Sequence, residues 1–294
     1  MYINNNSMAT NVANTLTSHY SDLKTSTERL STGLRVNSAA DDAAGLAIRE
    51  LMRTDITALQ QGVRNANDAI SLLQTADGAL AVIDEKLTRM KELAEQAATG
   101  TYDSTQRLMI ESEYQAMASE ITRIANATDF NGIHLLDGNL SGDTHDGNPM
   151  TATGKMKIHF GSANDSAEDY YYIQIGSSTA SSLGVGNEAV GTEGMTISTQ
   201  QAAQKALVAV TNAVVSKDKI RAHLGALQNR LENTVSNLTT QAENLQAAES
   251  RISDVDVATE MTKFVRNQIL TQSSVAMLSQ ANSMPKMAMQ LIGG

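Results

Sequence analysis

Apolar residues recur every seven positions over most of the chain. Leu16, Leu23 and Leu30 stand seven apart, with Val12, Tyr20 and Thr27 in the half-turns between them. That spacing lays one narrow apolar stripe along a helix, and Gly33 is a natural stop for it. After a short segment over residues 34–40, Asp41 or Asp42 can cap a second helix, because a carboxylate accepts from the free amides of a first turn. The second helix is long: Leu59, Ala66, Leu73, Leu80, Leu87 and Ala94 form an unbroken sevenfold series. A companion seam from Val63 and Ile70 shifts phase to Ala76, Ile83, Met90 and Ala97, so the stripe drifts around the helix. Gly100 ends it. Asp103 or Ser104 then caps a third helix carrying Leu108, Tyr114 or Gln115, Met117, Ile121 and Ile124, antiparallel to the second across a short loop.

The period changes from Phe130. Asn131-Gly132 and Asp137-Gly138 are turn signals. Residues 155–160 and 170–175 alternate polar and apolar positions and read as the arms of a β-hairpin. Eleven of the 19 glycines fall between Gly132 and Gly194, and the Ser/Gly-rich stretch over 177–194 reads as loop. Near Ser198 the helical period returns. Leu224, Leu231, Leu238, Leu245 and Ile252 keep strict sevenfold spacing, while a second seam through Ile220 and Leu227 weakens at Thr234 and Gln241 before Ala248 and Val255. Asp254 and Asp256 interrupt the pattern, and a further amphipathic helix runs from about Ala258 towards Leu291. The whole predicts a mainly α chain: a long coiled-coil-like helical bundle built from both chain ends, with a small central β-hairpin region.

Composition supports long helices, with two prolines in 294 residues and 41% hydrophobic content. The net charge of -10 argues against an electrostatic grip on nucleic acid or anionic lipid. At 3% aromatic residues there is little to stack on bases. No run approaches the ~20 apolar residues of a membrane span, so membrane insertion is not expected. The first twenty residues also lack the basic start and apolar run of a cleavable signal peptide. The absence of cysteine removes disulfides, thiolate metal sites and Cys nucleophiles together.

Charge is unevenly distributed. No side chain over residues 1–21 or 267–285 carries a fixed charge, although both stretches mix apolar residues with Ser, Thr, Asn and Gln. The final ~35 residues offer about a dozen sizeable apolar side chains, worth ~2 kcal/mol each if fully buried. Ordering the backbone costs roughly 1–2 kcal/mol per residue, and a lone helix buries only part of its stripe. Either the two ends pack on their own core as a bundle with an uncharged rim, or they gain order when another chain covers them. The missing charge favours the second reading, since a helix surrounded by copies has no water-facing side.

Candidate chemistry is sparse. His19, His134, His145, His159 and His223 are scattered, with no pair at i, i+4. Asp143, His145 and Asp146 share one segment, but no further ligand sits at a metal-site spacing, and they read as a polar turn. Gly184-Val-Gly186 followed by Gly191 lacks a dinucleotide-binding spacing. Helix capping accounts for Asp41-Asp42, and Met284, Met287 and Met289 read as adaptable core. No cofactor and no metal are expected, and no residue set proposes a reaction, so the chain does not read as an enzyme.

Longer strings carry more specific information. Leu30-Ser-Thr-Gly-Leu-Arg-Val-Asn-Ser-Ala-Ala-Asp-Asp-Ala-Ala-Gly-Leu-Ala-Ile48 closely resembles the N-terminal signature of bacterial flagellins. Gln74-Thr-Ala-Asp-Gly-Ala-Leu80, Glu92-Leu-Ala-Glu-Gln96 and Asp129-Phe-Asn-Gly132 continue it in the expected order. Ile220-Arg-Ala-His-Leu-Gly-Ala-Leu-Gln-Asn-Arg-Leu-Glu232, Glu243-Asn-Leu, Ala247-Ala-Glu-Ser-Arg-Ile-Ser-Asp254 and Ala276-Met-Leu-Ser-Gln-Ala-Asn282 are similar to the C-terminal signature.

The resemblance implies a structural subunit that polymerises into the flagellar filament outside the cell and serves motility. It implies an inner coiled-coil domain from residues 1–40 and 255–294, and an elongated helical domain over 41–254 with its β-hairpin and loops at about 130–195. With only ~60 central residues, no separate outer domain is expected. It further implies export in an unfolded state through the flagellar type III apparatus. Implied partners are a chaperone on the C-terminal helix, the filament cap and the hook-junction proteins, besides the chain's own copies. A hook–filament junction protein of the same export class and a secreted helical binding module are the competing readings. Leu16, Leu23, Leu30, Leu224, Leu231, Leu238, Leu245, Ile252, Met261, Val265 and Leu278 are assigned to helix packing and assembly. Toll-like receptor 5 recognises many flagellins, and the matching positions here are Arg89, Glu92, Leu93, Gln96 and Glu113. Two departures weaken that expectation: Glu95 replaces a small apolar residue, and Lys91 replaces an arginine whose planar fork lysine cannot reproduce. Residues 162–182 are Ser/Thr-rich, and similar loops in the family can be O-glycosylated.

Overall fold

The computed structural model describes residues 6–142, 154–165, 168–186 and 194–292. Asp143, His145, Asp146 and Gly191 lie outside the described residues. The elements are α1 (Ser7–Thr32), α2 (Ala43–Ala98), α3 (Ser104–Ala127), β1 (Asp129–Phe130), β2 (Ile133–His134), β3 (Met156–His159), β4 (Tyr170–Ile173), α4 (Ala180–Leu183), α5 (Gln200–Ser253) and α6 (Val257–Ile292). They fall into two compact units: a terminal unit of Met1–Ile56 with Glu243–Gly294, and a central unit of Thr57–Ala242.

The central unit holds a conventional core. The sevenfold series of α2 is buried from Leu59 through Ala66, Leu73, Leu80 and Leu87 to Ala94, as is the phase-shifted seam of Ala76, Ile83, Met90 and Ala97. Tyr114, Ala118, Ile121 and Ala125 of α3 join the α2 residues from Ala66 onward in one cluster with Val210, Leu224 and Leu231 of α5. The Asp103 side chain caps α3 in a reciprocal box with Gln106. A buried lysine also belongs to the α5 seam. Lys217 stands seven residues before Leu224 and is 1% exposed; its ammonium reaches Asp84 at 2.5 Å and Asp218 at 2.7 Å. Four residues on, Arg221 pairs with Asp77 at 2.7 Å, and the pairs to Asp84 and Asp77 tie α5 to α2.

The strands form two antiparallel pairs. Between β1 and β2, Asn131 (φ 53°) and Gly132 (φ 80°) both adopt left-handed backbone, the conformation a two-residue hairpin turn demands. In the second pair Met156 faces Ile173 and His159 faces Tyr170, as the alternation predicts. This hairpin lies directly on α2. A Cβ at Gly62 would stand 1.9 Å from the Phe160 carbonyl oxygen, and Asn65 Nδ2 donates to the His159 carbonyl at 2.8 Å. The expected loop over 177–194 needs correction, because it contains α4. The Thr179 side chain caps this turn and Gly184 closes it at φ 74°. Ala180, Leu183 and Val185 bury into the core, and that apolar content is diluted in the sequence by serine and glycine.

In the terminal unit, α1 begins at Asn6, whose side chain accepts from Ala9 N, and ends at Gly33 (φ 74°). Asp42 caps α2 by accepting from Gly45 N at 2.8 Å, while Asp41 accepts from the amides of Asn37 and Ser38. The segment after α1 meets the break between α5 and α6. Arg35 N donates to Ser253 O at 2.7 Å, and Val255 N donates to Gly33 O at 3.0 Å. Asp256 then caps α6 through Ala258 N and Thr259 N.

Candidate assembly surface

The pairing of α1 with α6 is antiparallel and fixed at both ends by polar contacts. Near its base, Ser26 Oγ donates to Glu260 Oε1 at 2.7 Å. Glu260 is 3% exposed and also accepts from Lys263 at 3.1 Å. Burial pushes the Glu260 carboxyl up, but Ser26, Lys263 and Arg29 outweigh it and hold the group below the usual glutamate range. At the far end Pro285 lies inside α6. Proline has no N–H, so the carbonyl four residues earlier loses its helical donor. That carbonyl is Ala281 O, and Asn6 Nδ2 donates to it at 2.9 Å. The side chain that caps α1 therefore also satisfies the group that the proline leaves open.

Between these locks the interface contains little core. Among the described residues of the two helices, Ser26, Glu260 and Ala281 are buried at the locks and Thr271 alone is buried between them. The large side chains point elsewhere: Val257, Met261, Val265, Ile269, Leu270, Val275 and Met277 of α6 are each 37–58% exposed. On α1, Met8 and Tyr20 are exposed, while Leu16, Leu23 and Leu30 are half-buried. Ile48 and Leu51 add to the exposed apolar surface of the same unit.

The other expected packing positions divide by unit. Leu224, Leu231 and Leu238 are buried in the central unit, whereas Leu245 and Ile252 of the terminal unit are half-buried. Leu278 is half-buried; Met261 and Val265 are exposed. The structure brings four of the five expected receptor positions to one surface of the central unit. Arg89 bonds Glu92 at 2.9 Å and Glu113 at 2.8 Å. Gln96 Nε2 donates to Tyr102 Oη at 3.0 Å. Leu93 is instead 1% exposed and sits in the core. Lys91 and Glu95 are exposed on the same helix.

Sequence reasoning missed the roles of Lys217, Glu260, Asn6 and Pro285. Lys217 falls on the sevenfold seam, but a lysine there reads as a break in the stripe. Glu260 reads as a first-turn charge on a helix. The link between Asn6 and Pro285 spans the whole chain, and only the missing N–H of the proline hints that a donor must come from elsewhere.

Among the described residues, no helix is long and apolar enough to cross a membrane, and no group of three His, Asp or Glu could hold a metal ion. The geometry defines a class: a helical structural subunit with its polar contacts inside the pairing and its apolar side chains outside. The model of the bacterial flagellin N-terminal helical region matches residues 3–141, and that of the C-terminal helical region matches residues 207–292. The chain is 41% identical over 295 residues to the flagellar filament 33 kDa core protein of Treponema phagedenis, covering 99% of this chain and 100% of that protein. It is 40% identical to a flagellin of Bacillus subtilis over 321 residues, with 99% and 100% covered. The crystal structure of Bacillus cereus flagellin matches with 30% identity over 63% of this chain and 94% of that one, at a TM-score of 0.47. The chain belongs to the bacterial flagellin family. It is a structural subunit of the extracellular flagellar filament, not an enzyme.

Proposed function

We propose that copies of this chain join through α1 and α6, and that residues 1–40 with 255–294 form the inner coiled-coil domain of the filament. Residues 41–254 then form the elongated helical domain, with no separate outer domain. The observation that carries this reading is the set of exposed aliphatic side chains from Val257 to Met277, on more than one side of a helix that carries no fixed charge over 267–285. Completing the burial of each is worth about 1 kcal/mol. Association costs ~4–15 kcal/mol in lost freedom. One pairwise contact is therefore marginal, while a lattice in which every copy has several neighbours is stable. Contacts that do not close on themselves extend into a helical polymer.

The same surface needs covering before assembly. It fits a chaperone on the C-terminal helix, release of that helix for export in an unfolded state through the type III apparatus, and cap and hook-junction proteins at the polymer ends. Arg89, Glu92, Gln96 and Glu113 form the exposed strip that Toll-like receptor 5 would read. Leu93 contributes by holding α2 in place, and Glu95 adds a charge beside the strip.

Deleting residues 258–294 tests the assembly reading. The shortened chain is expected to keep the helical circular-dichroism signal of its central unit and to form no filaments by electron microscopy, either alone or on full-length seeds. Filaments of the shortened chain would refute it.

A further inference from the structure

The chain contains 14 methionines and no cysteine, so thioethers are its only sulfur. Met90 in the core is 0% exposed, but Met8 (54%), Met109 (70%), Met261 (44%), Met277 (58%) and Met287 (49%) are open to solvent. Four of these five belong to α1 and α6, while Met109 stands on α3 of the central unit. Met261 and Met277 are sixteen residues apart in sequence, which is about 160° around a helix. Thioethers therefore stand on two sides of α6, and a neighbour packing on either side meets one.

We propose that Met8, Met261, Met277 and Met287 are oxidation sites that control whether the chain can assemble, the oxidant being a two-electron oxygen donor of the hydrogen peroxide class. This rests on the reading that α1 and α6 are covered by other copies. A sulfur lone pair attacks one peroxide oxygen. The S–O bond forms as the O–O bond breaks, and the departing hydroxide takes the proton carried by the transferred oxygen to become water. Sulfur is oxidised by two electrons and peroxide is reduced by two. The product is a polar, chiral sulfoxide where a flexible apolar side chain stood. Its oxygen needs a donor once water is excluded. Hydroxyls on the same two helices are already committed: Thr15 and Thr17 of α1, and Thr262 and Thr271 of α6, each donate to a carbonyl of their own helix, and Thr10 donates to the carbonyl of the cap residue Asn6. The modified monomer is excluded from the lattice, while a chain already assembled has these sulfurs shielded.

The test treats full-length monomer and preformed filament with hydrogen peroxide and maps sulfoxides by peptide mass spectrometry. The four sites are expected to oxidise in the monomer at rates comparable to Met109, and at least about tenfold more slowly in the filament. Oxidised monomer is expected to show a critical concentration for seeded growth raised about tenfold, the factor for roughly one unpaired buried polar group. Methionine sulfoxide reductase should restore growth. A chain with all four changed to Leu, nearly isosteric with Met, should grow equally before and after peroxide, whereas Met109→Leu should stay sensitive. Equal oxidation of the four sites in monomer and filament would overturn the assembly reading itself. Shielding in the filament with an unchanged critical concentration after oxidation would overturn the control by oxidation alone. A fourfold Leu chain that grows untreated and is still blocked by peroxide would assign the effect to other residues and overturn these four.

Discussion

The central and terminal units are built from the same kinds of residue at the same sevenfold spacing, and they bury them to opposite extents. In the central unit Leu73, Leu80, Ile83, Leu87, Met90 and Leu93 are all at or below 1% exposure. In the terminal unit, Val36 and Ala281 are the buried apolar residues among those described, beside Ser26, Arg49, Ser253, Glu260 and Thr271. The central unit surrounds α2 with α3, α5 and two hairpins, so its stripe has partners on several sides. The terminal pairing gives α6 one partner, and one helix can cover only one stripe. A heptad thus states that a face will be covered. It does not state whether the cover comes from the same chain.

Truncation separates these cases with the largest expected effect. Leu87→Ala removes a fully buried side chain and should lower the unfolding free energy of the monomer by about 2–5 kcal/mol, read by denaturant titration. Val265→Ala, at 44% exposure in the monomer, should leave that value within about 0.5 kcal/mol and instead raise the critical concentration for polymerisation. If Val265→Ala destabilised the monomer as much as Leu87→Ala, the contrast between the units would be wrong.

The central unit was largely legible in the sequence because its core is periodic. The buried positions of α2 coincide with the series read from Leu59 to Ala94, and the turn at Asn131-Gly132 follows from its dipeptide. Less was legible where polar groups do the fixing. Lys217 occupies a seam position because Asp84 and Asp218 neutralise its ammonium at the edge of the core. No local pattern announces that Asp84 lies beside a lysine 133 residues further on. The α1–α6 interface was hardest to read, since its register rests on Ser26–Glu260 and Asn6–Ala281 rather than on its leucines.

Acid should expose that polar register next. The Glu260 carboxyl is held below its ordinary value in the folded chain: burial opposes ionisation, but Ser26, Lys263 and Arg29 outweigh it. A depressed folded value means the stabilisation is complete above the unfolded glutamate range and is lost as pH falls through the folded value. Asp256, lowered chiefly by the Thr259 hydroxyl and then by its amide, acts in the same direction at the α6 cap. The helix signal of α1 and α6 should therefore weaken below about pH 4.5 before the core of the central unit opens. Glu260→Gln should flatten this dependence while keeping a hydrogen-bond acceptor for Ser26. An acid transition that is unchanged in Glu260→Gln would remove Glu260 from the account.

The smallest effect on folding should come from Arg89, although it makes ion pairs to both Glu92 and Glu113. All three side chains are 42–61% exposed, and solvent screens such pairs. The hydrogen bonds from Arg89 run first to Glu113 and then to Glu92, and they raise its already high pKa; it stays charged at any working pH. Arg89→Ala should move the thermal midpoint by no more than about 2 °C, because the α2–α3 contact is held by Leu93, Tyr114 and Ile121 beneath it. The same substitution should reduce signalling in a Toll-like receptor 5 reporter assay if the exposed strip is what the receptor reads, whereas Glu95→Ala should raise it by removing the neighbouring charge. A large drop in thermal midpoint for Arg89→Ala would mean that surface ion pairs, rather than the buried seam, hold the central unit together, and the contrast between the two units would lose its physical basis.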